Sequence, residues 1–198
     1  MSDAIDDAKR ALRAELRERR RVMSAAAVEA AGEQLSAHLD DLLARHEVSA
    51  ISCFLSTPFE PSTRAFVEGA VARGIRVLLP ITRTDGLLDW TVATEDGDIA
   101  EGLFGLPEPV GELLGPIAVN DVDLMIVPAA AVDRTGMRLG WGRGYFDKTI
   151  GSMEGCPPVY AVVYDSEILD EVPSELHDQP VTGAVTPTRI HEFAPAAR

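Results

Sequence analysis

The fold is decided by the stretch Asp123-Leu124-Met125-Ile126-Val127-Pro128, an apolar run of strand length. Beyond it lies the glycine-rich segment Arg138-Leu139-Gly140-Trp141-Gly142-Arg143-Gly144-Tyr145-Phe146-Asp147, and a helix is predicted from about Gly144. A segment between a strand and a helix lies beyond the carboxyl end of that strand, where open α/β sheets bind ligands. We therefore expect the functional site at residues 138–147, called the glycine loop below.

Outward from this segment, apolar runs of strand length alternate with helical patterns. Strands are predicted at Ala50–Leu55, Arg76–Pro80, Leu88–Val92, Asp123–Pro128 and Tyr160–Tyr164, and the sequence leaves room for a short one at Val181–Val185. Helices are predicted at Asp3–Arg21, from Ser24 as N-cap to about His46, at Ser62–Arg73, and from about Gly144. This alternation predicts an α/β fold with a mostly parallel sheet. No repeat or linker divides the sequence, so we expect a single domain over residues 1–198.

Composition limits the class of protein. The 198 residues, 46% of them hydrophobic, suffice for one folded core. The formal net charge of −14 argues against nucleic-acid and anionic-membrane partners. No apolar window approaches the ~18 residues of a membrane span, and the N-terminus is acidic, unlike a signal peptide. Cys53, read as a core residue, and Cys156 are too few for a disulfide framework. We expect a cytoplasmic monomer that acts on small molecules.

Three alternating glycines, Gly140, Gly142 and Gly144, give the glycine loop its predicted function. Because they lack a Cβ, their backbone N–H groups can converge on an anion, and the following helix N-terminus adds positive partial charge. Arg138 and Arg143 flank the turn and suit bidentate hydrogen bonds to phosphate oxygens. The spacing matches neither the P-loop nor the dinucleotide fingerprint. A plain strand-to-helix turn is the alternative, and the flanking charged residues favour a nucleotide phosphate site.

Asp147 is unexpected in a phosphate site, because its carboxylate should repel the ligand at a cost that grows as water is excluded. A cation between them removes the conflict, and Mg²⁺ commonly bridges carboxylates and nucleotide phosphates. The segment Glu175-Leu176-His177-Asp178 offers a second carboxylate. The alternative for Asp147 is an ordinary first-turn acid favoured by the helix dipole. His177 has no partner at metal-ligand spacing, so no histidine is predicted to be a ligand.

Two further elements are ambiguous when taken singly. The polar face of the first helix is strongly basic, with Lys9, Arg10, Arg13, Arg17, Arg19, Arg20 and Arg21. A solvated face is the usual explanation for such a run. Glu60, in a loop beyond another predicted strand, suits hydrogen bonds from ligand N–H groups, although alone it reads as a loop acid. The Gly-, Pro- and Glu-rich stretch 96–119 has little periodicity and is expected to be extended and irregular.

The glycine loop closely resembles the signature Arg-Leu-Gly-x-Gly-x-Gly-Tyr-Tyr-Asp of the 5-formyltetrahydrofolate cyclo-ligase family, also called methenyltetrahydrofolate synthetases. The resemblance covers nearly the whole chain. Ala8-Lys9-Arg10-Ala11-Leu12-Arg13 is similar to that family's opening helix, and Phe54-Leu55-Ser56 with Glu60 is similar to its first strand and substrate loop. Leu106-Pro107-Glu108-Pro109 and the 175–178 segment follow in the expected order. The loop signature is specific, whereas the other pieces support it only in this order.

The resemblance implies a three-layer α/β/α sandwich. It also implies an ATP-dependent cyclisation of 5-formyltetrahydrofolate to 5,10-methenyltetrahydrofolate, with release of ADP and phosphate and with Mg²⁺ as cofactor. The residues implied to bind ATP are Lys9, Arg13, Arg138, Leu139, Gly140, Trp141, Gly142, Arg143, Gly144 and Tyr145. Those implied to contact the folate are Leu55, Glu60, Trp141 and Arg143. Asp147 and Asp178 would hold Mg²⁺, and Arg138 and Arg143 would act in catalysis.

The sequence departs from the family pattern at a few positions. Phe146 stands where the family usually has a second Tyr, and Trp141, Arg143 and Thr182 also differ from frequent residues there. These changes bear on substrate affinity and on the metal shell. Two rival functions remain open: another α/β enzyme that acts on phosphorylated sugars or acyl groups, and a non-catalytic module that binds folate or a nucleotide. The absence of a Ser/His/Asp or Cys/His constellation fits a reaction that needs no protein nucleophile.

Overall fold

The computed structural model describes residues 2–175 and 178–193. The helices are α1 (Ser2–Arg21), α2 (Ala25–His46), α3 (Arg64–Ala72) and α4 (Tyr145–Ser152), with 3₁₀ turns at Leu103–Gly105, Pro116–Asp121 and Asp165–Glu167. The strands are β1 (Ala50–Ser52), β2 (Arg76–Thr82), β3 (Leu88–Val92), β4 (Ile99–Glu101), β5 (Pro107–Pro109), β6 (Leu124–Pro128), β7 (Ala131–Asp133), β8 (Arg138–Leu139), β9 (Val159–Val162), β10 (Ile168–Leu169), β11 (Gly183–Val185) and β12 (Ile190–Glu192).

The central sheet has seven strands in the order β12-β11-β9-β6-β1-β2-β3. Its inner strands are parallel to one another, and β3 and β12 run antiparallel at the two edges. The middle strand β6 is apolar throughout, and Leu124, Met125, Ile126 and Val127 are all buried. A strand buried on both faces is typical of a parallel sheet with helices on each side. The predicted α/β fold with a mostly parallel sheet is confirmed.

Helices cover both faces of this sheet. Because successive residues of a strand point to opposite faces, neighbouring strand residues belong to separate cores. Ile51 and Leu124 pack in the core that includes α2 and α3. Leu78 and Met125 pack in the core that includes α4 and the turn at Pro116–Asp121. The result is the three-layer arrangement that the family resemblance implied.

The first helix packs on a separate three-stranded sheet of order β10-β7-β8. Leu16 of α1 is fully buried there, together with Ala131 and Leu139. The glycine loop begins in β8, so this packing holds the basic face of α1 beside the loop. After the C-terminal end of α1 the chain turns into α2. Ser24 Oγ accepts a hydrogen bond from Ala27 N at 3.2 Å, as expected for an N-cap.

Several predicted boundaries were wrong. The strand predicted at Ala50–Leu55 ends at Ser52, because side-chain hydrogen bonds replace the ladder. Thr63 Oγ1 donates to the Phe54 carbonyl at 2.6 Å and accepts from Ser56 N at 3.2 Å. The stretch 96–119, expected to be extended and irregular, is extended at the ribbon β4–β5, but it also contains one 3₁₀ turn and the start of a second. The missed strands β4, β5, β7, β8, β10 and β12 span only two or three residues each, too few to produce a periodic pattern.

Cys53 is a core residue, as the sequence predicted. It is fully buried, and burial raises the pKa of its thiol to about 12. Across residues 2–175 and 178–193, no helix combines the length and the apolar character that a membrane crossing requires.

Candidate active site

The site lies at the carboxyl ends of the central strands, where the sequence placed it. Phe54 follows β1, Pro80 lies in the last half of β2, and Pro128 ends β6, and all three line one cavity. One correction concerns the connection to the glycine loop. The loop does not follow β6 directly, because β7 intervenes and Gly136, with φ of 88°, turns the chain into the antiparallel strand β8, where the loop begins.

The glycine loop needs glycine at two positions for its backbone conformation. Gly142 has φ of 95° and Gly144 has φ of 68°, in the left-handed region that other residues rarely adopt. Gly142 also lies against α1, since a Cβ built there would be 3.3 Å from the Arg13 guanidinium. Arg13 Nε donates to the Gly140 carbonyl at 2.7 Å. The loop therefore packs closely on the basic face of α1.

Arg138 and Asp147 form an ion pair at the two ends of the loop. Arg138 is buried, and its Nη2 lies 2.6 Å from Asp147 Oδ1. Its Nη1 donates to the Pro128 carbonyl at 3.2 Å, while its Nε is buried and unpartnered within the described part of the chain. Gln179 N also donates to Asp147 Oδ1, at 3.4 Å. The carboxylate that looked out of place in the sequence thus has a cationic neighbour.

A cavity of about 350 Å³ lies between the glycine loop and the strand ends, and we call it the apolar cavity. Most of the side chains that line it are apolar: Phe54, Leu55, Phe59, Pro80, Leu88, Leu106, Pro107, Pro128, Trp141, Tyr145 and Phe146. Its charged lining residues are Arg17, Arg20, Glu60, Glu108, Arg138, Arg143 and Asp147. An apolar cleft with a few convergent polar groups is the usual form of a small-molecule site.

Two buried carboxylates in this cavity are fixed in the same way. Glu60 Oε2 accepts hydrogen bonds from Thr57 N at 2.8 Å and Thr57 Oγ1 at 2.9 Å. Glu108 Oε1 accepts from Thr82 N at 2.9 Å and Thr82 Oγ1 at 2.5 Å. Each carboxylate is held by hydrogen bonds to one of its oxygens, so the other oxygen can accept hydrogen bonds from ligand N–H groups. Sequence reasoning missed Glu108 as a site residue, although the segment 106–109 had drawn notice for its order in the chain.

A second cavity of about 610 Å³ lies on the other side of the glycine loop, and we call it the polar cavity. It is lined by Asp6, Lys9, Arg13, Arg138, Leu139, Gly140, Gly142, Arg143, Gly144, Asp147, Lys148, Gly151, Ser152, Glu175, Asp178 and Gln179. Polar, charged and glycine residues dominate this lining. Such a surface suits a strongly hydrated, charged ligand better than an apolar one.

Lys9 organises the acidic end of the polar cavity. Its buried Nζ lies 2.7 Å from Asp178 Oδ2 and 2.9 Å from Glu175 Oε2. Burial by itself lowers the pKa of Lys9, but the hydrogen bonds and charges of Asp178 and Glu175 outweigh it, so that pKa lies above its usual value. Burial lowers the pKa of the nearby Arg13, although the charge of Asp178 opposes this. Lys9 therefore stays protonated at neutral pH and offsets part of the negative charge.

The two cavities share part of their walls. Arg138, Gly140, Arg143, Gly144 and Asp147 line both of them. Arg143 is exposed, and its guanidinium lies over the Phe104 ring, 3.3 Å from the centroid. Groups bound in the two cavities would therefore meet at the glycine loop.

A buried ion pair between Arg20 and Glu167 lies against the glycine loop at Trp141, and sequence reasoning missed it. Arg20 donates from Nε and Nη2 to the two oxygens of Glu167, each at 2.7 Å, and from Nη2 to the Ala129 carbonyl at 2.9 Å. Its guanidinium also lies 4.9 Å from the Trp141 ring centroid. The spacing of Arg20 from Leu16, four residues along the helix, was the available signal, since it places both on one face.

The predicted site residues all line one cavity or the other, and their roles stay predictions. Leu55, Glu60, Trp141 and Arg143, predicted for the folate, line the apolar cavity. Asp147 and Asp178, predicted for Mg²⁺, line the polar cavity.

Among the residues predicted to bind ATP, Tyr145 and Leu139 have settings that the sequence did not indicate, whereas Trp141 had also been predicted to contact the folate. Trp141 and Tyr145 line the apolar cavity rather than the polar one, and Tyr145 Oη donates to the Arg83 carbonyl at 2.8 Å. The side chain of Leu139 packs in the core beside Leu16. Leu176 and His177 lie outside the described residues.

Comparison with known proteins gives the family. The model described as "5-formyltetrahydrofolate cyclo-ligase family" matches residues 5–187. The chain belongs to this family. A 5-formyltetrahydrofolate cyclo-ligase from Mycolicibacterium smegmatis is 35% identical over 183 residues, which cover 90% of this chain and 93% of the relative. The Escherichia coli K12 enzyme of the same name is 25% identical over 183 residues, which cover 90% of this chain and 100% of the relative.

Solved structures of cyclo-ligase relatives share the fold. The NMR structure of Aquifex aeolicus 5,10-methenyltetrahydrofolate synthetase superposes with a TM-score of 0.79 at 22% identity, covering 96% of this chain and 95% of that one. The structure of a 5,10-methenyltetrahydrofolate synthetase from Mycoplasma pneumoniae gives a TM-score of 0.72 at 18% identity, covering 90% and 98%. At these identities the likeness bears on architecture alone, and it agrees with the three-layer arrangement described above.

Proposed function

We propose that this protein is an ATP-dependent 5-formyltetrahydrofolate cyclo-ligase. It converts 5-formyltetrahydrofolate to 5,10-methenyltetrahydrofolate and releases ADP and phosphate, and a single domain carries both substrate sites. Membership of the family supports the reaction class. The observation that carries the proposal is the shared wall between the apolar and polar cavities, because a phosphoryl transfer needs two chemically unlike ligands side by side.

The division of the two cavities follows from their chemistry. A nucleotide triphosphate is strongly anionic, and in a protein of net charge −14 it needs local cations. The polar cavity supplies Lys9 and Arg13, together with the glycine-rich backbone of the loop. A pterin ring is flat and carries N–H donors, which suit the apolar walls and the fixed carboxylates of Glu60 and Glu108.

The reaction then needs alignment more than it needs a protein nucleophile. The formyl oxygen attacks the γ-phosphorus of ATP, the bond between that phosphorus and the bridging oxygen breaks, and ADP leaves. N10 of the same folate attacks the activated formyl carbon and loses its proton, and the formyl oxygen departs with phosphate. Arg138 and Arg143 both border the two cavities, so both are suited to offset charge on the transferred group.

The carboxylates of the polar cavity fit a Mg²⁺ ion that binds together with the nucleotide. Within residues 2–175 and 178–193, no cluster of three His, Cys, Asp or Glu side chains could hold a metal by itself. Mg²⁺ commonly takes one or two carboxylates and completes its shell with phosphate oxygens and water. Asp147 and Asp178 offer such hard oxygen donors on the wall of that cavity. When bound, Mg²⁺ would neutralise charge on the phosphates.

The proposal is tested by mixing the purified protein with ATP, Mg²⁺ and 5-formyltetrahydrofolate. We expect the absorbance of the methenyl product to grow, with one ADP formed per molecule cyclised. Omission of ATP should abolish the signal. ATP hydrolysis without methenyl product, or turnover of a sugar phosphate in place of the folate, would refute the assignment.

A further inference from the structure

Among the residues that the structure describes, Arg17 is the basic residue of α1 whose charge has no polar partner. Elsewhere on the helix the pairs are Arg10 with Asp7, Arg19 with Glu15, Arg21 with Glu18, Arg20 with Glu167, Lys9 with Glu175 and Asp178, and Arg13 with the Gly140 carbonyl. Arg17 makes no ion pair or hydrogen bond to any residue that the structure describes. Its guanidinium lies instead over the Trp141 ring, 5.4 Å from the centroid.

The position of Arg17 favours a role toward the ligand of the apolar cavity over a role toward the nucleotide phosphates. Arg17 lines the apolar cavity but not the polar one. Two other arginines of the apolar cavity, Arg20 and Arg138, are paired with carboxylates, and Arg143 borders both cavities. Arg17 is therefore an exposed cation on the wall of the apolar cavity.

The contact with the Trp141 ring orients the Arg17 guanidinium so that it can bind an anion. A guanidinium stacked on an indole keeps its N–H edge free for hydrogen bonding, and the stacking limits its motion. The Trp141 ring also contacts the guanidinium of Arg20, 4.9 Å from the ring centroid, and Arg20 is fixed by Glu167. Less conformational entropy is then lost when Arg17 engages a carboxylate.

We propose that Arg17 binds a carboxylate of the glutamate end of the folate and sets the preference for substrates that carry it. The inference rests on the proposed function. Glu60 and Glu108 are buried and take the pterin end, so the opposite end of the molecule extends toward exposed lining residues. The glutamate carboxylates are the anionic groups of the folate, and a guanidinium recognises a carboxylate through paired hydrogen bonds.

The test compares 5-formyltetrahydrofolate with 5-formyltetrahydropteroate, the same molecule without its glutamate. Arg17→Ala should raise KM for the folate about tenfold, as for loss of one charge-assisted contact, and leave kcat within about twofold. KM for the pteroate should not change, because it lacks the carboxylates. Arg17→Lys should fall between wild type and Arg17→Ala for the folate. Arg19→Ala, which removes an exposed arginine paired with Glu15, is the matched control and should leave both substrates unaffected.

Two outcomes would overturn the role of Arg17. One is an equal effect of Arg17→Ala on both substrates, which would mean that Arg17 only orients Trp141. The other is no effect on either. Absence of methenyl product from wild-type protein would instead refute the proposed function. In that case calorimetric titration with the same two compounds decides: wild type must bind the folate more tightly than the pteroate, and Arg17→Ala must remove the difference.

Discussion

Arg138 and Asp147 stand at the two ends of the glycine loop and are joined across it, with Nη2 2.6 Å from Oδ1. The pair explains how a carboxylate can lie beside a phosphate site. Arg138 balances the charge of Asp147 before any ligand arrives, and both residues line both cavities. The two side chains are therefore coupled, and removal of either one leaves the other as a partly buried charge without its partner.

Arg138→Ala should lower kcat/KM for ATP at least about tenfold, since charge-assisted hydrogen bonds worth roughly 1.5–3 kcal/mol are lost. Steady-state kinetics with varied ATP would measure this. Arg134→Ala is a matched control, because Arg134 lies four residues earlier in the sequence and pairs with Asp170 on the exposed surface. Unchanged kinetics in Arg138→Ala, with a native melting curve, would remove this residue from the phosphate site.

Asp147→Asn should raise the Mg²⁺ concentration needed for half-maximal activity severalfold, because an amide is a weaker Mg²⁺ ligand than a carboxylate. The measurement is a Mg²⁺ titration of initial rates at saturating ATP. Asp41→Asn, on the exposed face of α2, serves as control. An identical titration for Asp147→Asn and wild type would count against metal binding at this position.

Glu60→Gln should raise KM for 5-formyltetrahydrofolate roughly tenfold and leave KM for ATP within about twofold, since a buried charged acceptor for ligand N–H groups is lost. Glu108→Gln should act in the same direction, because its carboxylate is held by Thr82 as that of Glu60 is held by Thr57. Glu33→Gln, exposed on α2, is the control. If KM for ATP changed and KM for the folate did not, these carboxylates would not bind the folate as proposed.

Asp123 gives a prediction about pH and stability. Its Oδ2 accepts hydrogen bonds from Ser49 N, Ser49 Oγ and Ala50 N, and those from the backbone amides hold the pKa of Asp123 below its usual value. A lowered pKa contributes stability above the usual carboxyl pKa, and that contribution is lost as pH falls through the folded-state pKa. Because Asp123 is exposed, solvent screens much of this contribution, and Asp123→Ala should lower Tm at pH 7 by only about 1–2 °C.

Melting curves recorded from pH 7 down to pH 3 would check this, and the difference between Asp123→Ala and wild type should shrink toward the acid end. Asp121→Ala, at an exposed position two residues earlier, is the control. A difference in Tm that stays constant over this range would show that the carboxylate charge does not matter.

The periodic parts of the fold were predictable from sequence. Long helices such as α1 and α2 and apolar strands such as β6 follow the periods of 3.6 and 2 that burial imposes. The position of the candidate site at the strand ends was predicted from the composition of the glycine loop and from the apolar strand before it, although β7 intervenes between β6 and the loop. Short strands were not, since the two residues of β8 are paired by tertiary context rather than by any local pattern.

The sequence did not predict which charged residues would be buried, which would form ion pairs and which would line a cavity. Arg17, Arg19 and Arg20 are nearly adjacent in sequence, yet Arg17 is exposed at the apolar cavity, Arg19 pairs with Glu15 on the surface, and Arg20 is buried and paired with Glu167. That partner lies 147 residues away, so no local rule reveals it. Glu108 was hidden for a similar reason, because its hydrogen bonds to Thr82 come from a strand remote in sequence.

The common wall of the two cavities has a kinetic consequence. If Arg143 and Gly144 must touch both ligands at once, neither half of the reaction can proceed with one substrate alone, and the enzyme never carries a phosphoryl group of its own. Initial-rate plots should then intersect rather than run parallel, as they do when a ternary complex must assemble before any bond changes. An activated formyl group formed between the two cavities is then attacked by N10 of its own molecule rather than by water.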